Sequence, residues 1–155
     1  RPFVSFTQMD TDLEMFIPDN YVTNITERYN LYTELSRIET ESRLVSFARE
    51  LKDRFGPVPA SISTMMDVLR LQWTAKKLGF EKLSYKNKVL RGYFISNKQS
   101  KYFDSEQFTK ILNFAQAHPR ICNLKEVKDS LRIAFENVNT VEEAIQLLSM
   151  VDLKD

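Results

Sequence analysis

Glu50 and Asp53 stand three residues apart in the run Glu50-Leu51-Lys52-Asp53-Arg54-Phe55-Gly56-Pro57-Val58-Pro59, a spacing that puts both carboxylates on one side of a helical turn. The run closes a helix, because Gly56 can take the left-handed conformation that ends one and Pro57 cannot continue it. Acids at a helix C-terminus oppose the dipole, which favours cations there. Residues that cost local stability are often kept for something they bind. Glu50 and Asp53, with Arg54 beside them, therefore make an acidic docking face for a basic partner. Charge complementarity gives such a contact specificity and rate more than affinity. The competing reading is a solvated face on which Arg54 pairs with Glu50 at i,i+4, for well under about 1 kcal/mol. Physical chemistry alone leaves the two even.

Little else in the chain offers chemistry. The only glycines are Gly56, Gly79 and Gly92. No pair has the spacing of a P-loop or a dinucleotide fingerprint, so neither route to a nucleotide phosphate is open. His118, the single histidine, sits before Pro119 at a helix end, where it caps carbonyls or meets solvent. Cys122, the single cysteine, falls in a strand-like run and reads as a small buried hydrophobe. One histidine and one cysteine cannot make a zinc site, and Glu142 and Glu143 belong to a helix cap. No residue is assigned a catalytic, cofactor-binding or metal role. Lys76, Lys77, Lys82, Lys86, Lys88, Arg91, Lys98 and Lys101 form the densest basic zone, with Tyr85, Tyr93 and Tyr102 among them. A stacking and phosphate surface for nucleic acid is one reading. A solvated face with snorkelling stems is the other, and a net charge of +1 favours it. Trp73, Met65 and Met66 recur at helical spacing and read as core.

These residues need a scaffold, and 155 residues suffice for one domain with a real core. Apolar residues make up 43% and charged residues 28%, as in an ordinary globular chain. A lone cysteine excludes an internal disulfide and fits a reducing cytoplasm, and no apolar run approaches a membrane span. The chain opens on Arg1 rather than Met, which reads as a piece of a longer protein. Residues 1–10 look like a lead-in, and 11–155 like a single domain. Leu13, Met15 and Ile17 alternate into Pro18, predicting a short edge strand. Helical spacing predicts helices over Asn24–Arg37, Thr40–Phe55 and Pro59–Leu78, the last apolar on two sides and ended by Gly79. Phe80–Tyr85 and Lys88–Ile95 form one hairpin, and Ile121–Val127 and Ser130–Glu136 another. Between them, Asp104 or Ser105 caps a helix, and a capping box at Thr140 opens the last one. The fold class is α+β: a helical N-terminal half packed with a small antiparallel sheet of two hairpins plus an edge strand, and two further helices.

Motifs in order along the chain resemble the C-terminal domain of the bacterial transcription-repair coupling factor (Mfd) family. They are Asp12-Leu13-Glu14-Met15-Phe16-Ile17-Pro18-Asp19-Asn20-Tyr21-Val22, then Arg28-Tyr29-Asn30-Leu31-Tyr32, then Glu50 to Pro59, then Leu69-Arg70-Leu71 and Lys77-Leu78-Gly79. The resemblance runs from about Phe3 to Val151, and from Phe80 onward it is one of element pattern only. It implies a parent protein that is an ATP- and Mg-dependent translocase on double-stranded DNA, which removes stalled RNA polymerase and recruits UvrA in nucleotide excision repair. The helicase-type, ATP-binding hydrolase motor would lie upstream, and this domain would be non-catalytic, without a cofactor of its own. It would dock on an N-terminal UvrB-like module of the same chain and mask the surface that UvrA uses, an autoinhibitory contact that includes Glu50 and Asp53. Arg54 would orient the two acids, and Phe55 would be the last core residue before Gly56.

Overall fold

Side-chain chemistry at the turning points sets the element boundaries in the computed structural model, which describes residues 2–153. Arg1 of the expected lead-in, and Lys154 and Asp155 of the expected domain, lie outside the described residues. Helix α1 (Ile25–Ser36) opens on Asn24, whose side chain accepts from the Glu27 N–H. Helix α2 (Glu41–Phe55) opens on Thr40, which accepts from the Arg43 N–H, and ends on Gly56. Helix α3 (Ala60–Leu78) starts directly after Pro59, whose carbonyl accepts from the Ser63 N–H (3.1 Å) and whose missing N–H costs nothing at a helix start. Helix α4 (Glu106–Ala117) has Ser105 as its cap, and α5 (Val141–Asp152) has Thr140. At α5 the Glu143 carboxylate accepts from the Asn139 N–H rather than from Thr140 itself, one residue outside the usual capping box.

The chain divides into two compact units. One is Leu13–Arg70, with α1, α2 and the first half of α3. Its buried residues include Leu31 and Leu35 of α1, Leu44, Phe47 and Leu51 of α2, and Ile62 and Met66 of α3. The segment Leu13–Ile17 is not a strand. Its alternation is real, since Ile17 is buried while Glu14 and Phe16 are exposed. The Ile17 N–H, however, goes to the Tyr32 hydroxyl (2.7 Å) instead of a ladder partner. A period of two here reports a half-buried extended chain.

The other unit joins the segment ending at Asp12 to the chain from Leu71 onward. It holds one five-stranded sheet of β1 (Gln8–Thr11), β2 (Lys82–Lys86), β3 (Val89–Tyr93), β4 (Cys122–Val127) and β5 (Ser130–Phe135), in the order β1-β2-β3-β5-β4. The α+β class holds, but the sheet is mixed: the edge strand is β1, it lies in the expected lead-in, and it pairs parallel to β2. Two threonines pin it, Thr7 Oγ1 donating to the Phe80 carbonyl (2.8 Å) and Thr11 Oγ1 to the Tyr85 carbonyl (2.7 Å). Both hairpins turn on residues at positive φ, Asn87-Lys88 and Lys128-Asp129, as two-residue hairpin loops require. Leu83, Tyr85, Leu90, Cys122, Ile133 and Phe135 fill the core face of the sheet. Tyr102 is fully buried, donates to the Leu78 carbonyl (2.7 Å) and packs where any Cβ on Gly79 would stand.

Candidate functional site: the C-terminal end of α2

The apolar stripe of α2 turns Leu44, Phe47 and Leu51 inward, which leaves Arg43, Glu50, Asp53 and Arg54 on the exposed faces. Gly56 then ends the helix at φ 93°, ψ −169°, a region that side-chain-bearing residues almost never enter. Its N–H reaches the Lys52 carbonyl at 3.0 Å. The last turn is closed by a residue that sequence reasoning quoted but did not use. Tyr21 donates its hydroxyl to the carbonyls of Gly56 (2.7 Å) and Leu51 (3.2 Å). Its ring lies 5.7 Å from that of Phe55, and burial pushes its phenol pKa up. A side chain from the Ile-Pro-Asp-Asn-Tyr segment thereby serves the Gly56 carbonyl, which lies beyond the last helical bond. Phe55 itself is half-buried rather than a core residue.

Arg54 does not pair with Glu50, nor does it bridge the two acids. Its guanidinium pairs with Glu27 of α1 and lies 4.7 Å from the centre of the Phe55 ring. Arg43 pairs with Glu34 of α1 and reaches Glu50 only at 3.6 Å. Glu50 is 59% exposed. Asp53 is exposed, and among the described residues its carboxylate has neither an ion pair nor a hydrogen bond; Arg49 and Lys52 on the same helix are exposed and equally unpaired. Arg43 and Arg54 are thus engaged by α1, which leaves Asp53 without an ion pair and Glu50 weakly held. Leu31, Glu34, Phe47, Glu50, Leu51 and Arg54 line a groove of about 260 Å³ between α1 and α2. At the far end of α2, Arg70 forks onto both oxygens of Glu41 (2.8 and 2.9 Å) and onto Asp67 (2.9 Å). Those bonds hold the Glu41 carboxyl below the usual carboxylate range. Glu27, Arg43 and Tyr21, which fix the acids' surroundings, carry no signal of their own in the sequence beyond their residue type.

The remaining candidates belong to the other unit. His118 packs its ring against Phe114 (4.4 Å) and its backbone N–H caps α4. Cys122 is buried, and burial pushes its thiol up to about 11. Among the described residues no group of three or more His, Cys, Asp or Glu is placed to hold a metal ion, and no helix is long and apolar enough to cross a membrane. The basic zone is not one patch. Lys77 pairs with Asp152 (3.4 Å), Lys86 with Asp10 (2.8 Å), and Lys98 with Glu126 and Asp129 (3.2 and 3.3 Å). Tyr85 and Tyr102 are buried with their hydroxyls bonded inside the core, so neither can stack on a base.

A family model for the TRCF domain matches residues 11–105, which include α1, the whole of α2 with its C-terminal cap, and α3. The chain belongs to the TRCF domain family. Transcription-repair-coupling factors are similar to it along most of its length. That of Borreliella burgdorferi is 26% identical across 97% of this chain and 13% of its own length. That of Escherichia coli K12 is 32% identical across 84% of this chain and 12% of its own. This TRCF domain therefore spans about an eighth of the curated relatives it matches. A crystal structure of the C-terminal domain of a transcription-repair coupling factor shares the fold, with a TM-score of 0.73, 13% identity and 96% coverage of both chains.

Proposed function

We propose that this domain is a non-catalytic regulatory module of a transcription-repair coupling factor. In this reading it docks through Glu50 and Asp53 on the N-terminal UvrB-like module of its own protein and masks the surface that recruits UvrA. The parent is the ATP-dependent translocase on double-stranded DNA that removes stalled RNA polymerase. The supporting observation is the exposed acid pair on a capped helix end, with Asp53 in no ion pair among the described residues and Glu50 met only by Arg43 at 3.6 Å. Arg54 and Arg43 are drawn to Glu27 and Glu34, so Asp53 and most of Glu50 remain available to a basic partner. Arg54 acts indirectly: by holding Glu27 across the groove it fixes the helix end and keeps its own charge away from Asp53.

A mask must also come off. A closed form favoured by a few kcal/mol is occupied almost completely, yet a competing interaction of similar size can open it. An exposed, polar contact meets that requirement better than an apolar one, because its charges return to water at little cost. The test is titration calorimetry of this chain into the separately expressed UvrB-like module. Salt-sensitive binding that is lost in Glu50→Lys with Asp53→Lys, at unchanged circular dichroism, is the expected result. Wild-type binding retained by the double variant would overturn the assignment.

A further inference from the structure

The register of the sheet assembles a charged face that the linear sequence scatters. Lys82, Tyr93, Arg132 and Lys125 stand opposite one another on β2, β3, β5 and β4, in one row across the sheet. Arg91 and Lys86 follow on the same face, two and four residues along. All five cations occupy the side away from Leu83, Leu90, Ile133 and Phe135. The only carboxylate at a ladder position of this face is Asp10, which pairs with Lys86. Among the described residues Lys82, Arg91, Lys125 and Arg132 form no ion pair, although Lys82 stands close enough to help lower the Asp10 carboxyl, in a chain whose whole net charge is +1.

We propose that this sheet face binds the phosphate backbone of double-stranded DNA, at a site separate from the α2 helix end. Three strand spacings of about 4.8 Å make the row about 14 Å long, enough to meet several phosphates. The core of a protein–protein interface is apolar and depleted of charge. Here the centre is charged, and the neighbours Asn123 and Gln8 are exposed polar residues of types that also serve phosphates. Single strands are held largely by bases stacked on aromatic faces. Tyr93 is the only aromatic residue at a ladder position of this face, and its ring is covered by Lys82 (5.2 Å) and Arg132 (5.8 Å). Tyr93 thus spaces two cations and offers no stacking platform. What remains is sequence-independent contact to phosphates by lysine and two forked guanidinium groups.

Fluorescence anisotropy with a labelled mixed-sequence duplex of about 24 base pairs reads the site directly. Four phosphate contacts give a salt slope of about −3.6, so affinity should fall about 150-fold between about 50 and about 200 mM salt. Arg91→Glu with Lys125→Glu touches neither the core nor Tyr93, and should at least halve that slope and weaken binding at low salt more than tenfold. The control Lys98→Glu with Lys101→Glu lies off this face and should keep the wild-type slope. An unchanged slope in the sheet-face variant would overturn the proposal. So would tighter binding of a single strand than of the duplex, or equal binding of polyglutamate. Because the assay contains no UvrB-like module, failure here leaves the docking result untouched, and the reverse holds.

Discussion

Replacing Tyr21 with Phe removes one oxygen atom and should loosen the end of α2. The phenol donates to Gly56 O at 2.7 Å and to Leu51 O at 3.2 Å. The Leu51 carbonyl lies inside the helix and keeps its i→i+4 partner, so the loss falls mainly on Gly56, beyond the last helical bond. One net hydrogen bond contributes about 0.5–1.5 kcal/mol, and a half-buried carbonyl left without a partner costs somewhat more. A destabilisation of about 1–2 kcal/mol follows. The ring contact with Phe55, 5.7 Å between centroids, survives in Phe and is not part of that figure. Urea unfolding followed by circular dichroism measures the change, with the slope expected to stay constant. The same variant should bind the UvrB-like module more weakly than wild type while keeping both acids. A stability change within about 0.5 kcal/mol, the range of an ordinary surface substitution, would refute the reasoning that the phenol holds the helix end.

Three further substitutions separate backbone conformation from packing and test one ion pair by pH. Gly56 and Gly79 both follow a helix at nearly equal φ, 93° and 91°, yet a Cβ on Gly56 meets nothing within 4 Å while one on Gly79 falls 2.2 Å from a Tyr102 ring carbon. Gly56→Ala should therefore cost about 1–3 kcal/mol through backbone strain alone, and Gly79→Ala a further 1–3 kcal/mol or so for displacing a buried ring; equal costs in denaturant titrations would contradict this. Glu41 has its folded pKa lowered, chiefly by its hydrogen bonds from Arg70, so its contribution is complete above 4.5 and is lost as pH falls through the depressed folded value. Glu41→Gln should flatten the acid limb of the stability–pH curve below that point, and an unchanged limb would show that the Arg70 fork does not couple to folding.

Local chemistry was readable wherever one residue decides the outcome. Ser105, one of two expected caps, and Thr140 serve the first-turn N–H groups of their helices, and Asn24 and Thr40, expected only as helix starts, do the same. Gly56 and Gly79 end helices because few other residues tolerate their φ. Non-local pairing was not readable. Gln-Met-Asp-Thr has no strand-like composition, and β1 exists because β2 offers it an edge and two threonine hydroxyls clip it there. The alternation at Leu13–Ile17 was read correctly as extended but wrongly as a ladder, since period two cannot say which backbone, if any, lies alongside. At the site, Glu50 and Asp53 were placed on one turn by spacing alone. Arg54's partner was not, because Glu27 is 27 residues away and a surface ion pair leaves no periodic trace. The cationic sheet face was legible only in part: Lys82, Lys86 and Arg91 stood in the basic zone, but Lys125 and Arg132 join them only through the register.

The central claim, that the acid pair on α2 serves to mask, is tested most directly in the full-length coupling factor. Capture of UvrA by the intact protein should be measured for wild type and for Glu50→Lys with Asp53→Lys, both without ATP. Masking predicts that the wild type captures UvrA poorly and that the double variant captures it at the level reached when this domain is deleted. Equal, weak capture by wild type and double variant, alongside strong capture by the deletion, would contradict the account: the domain would then mask through some surface other than Glu50 and Asp53.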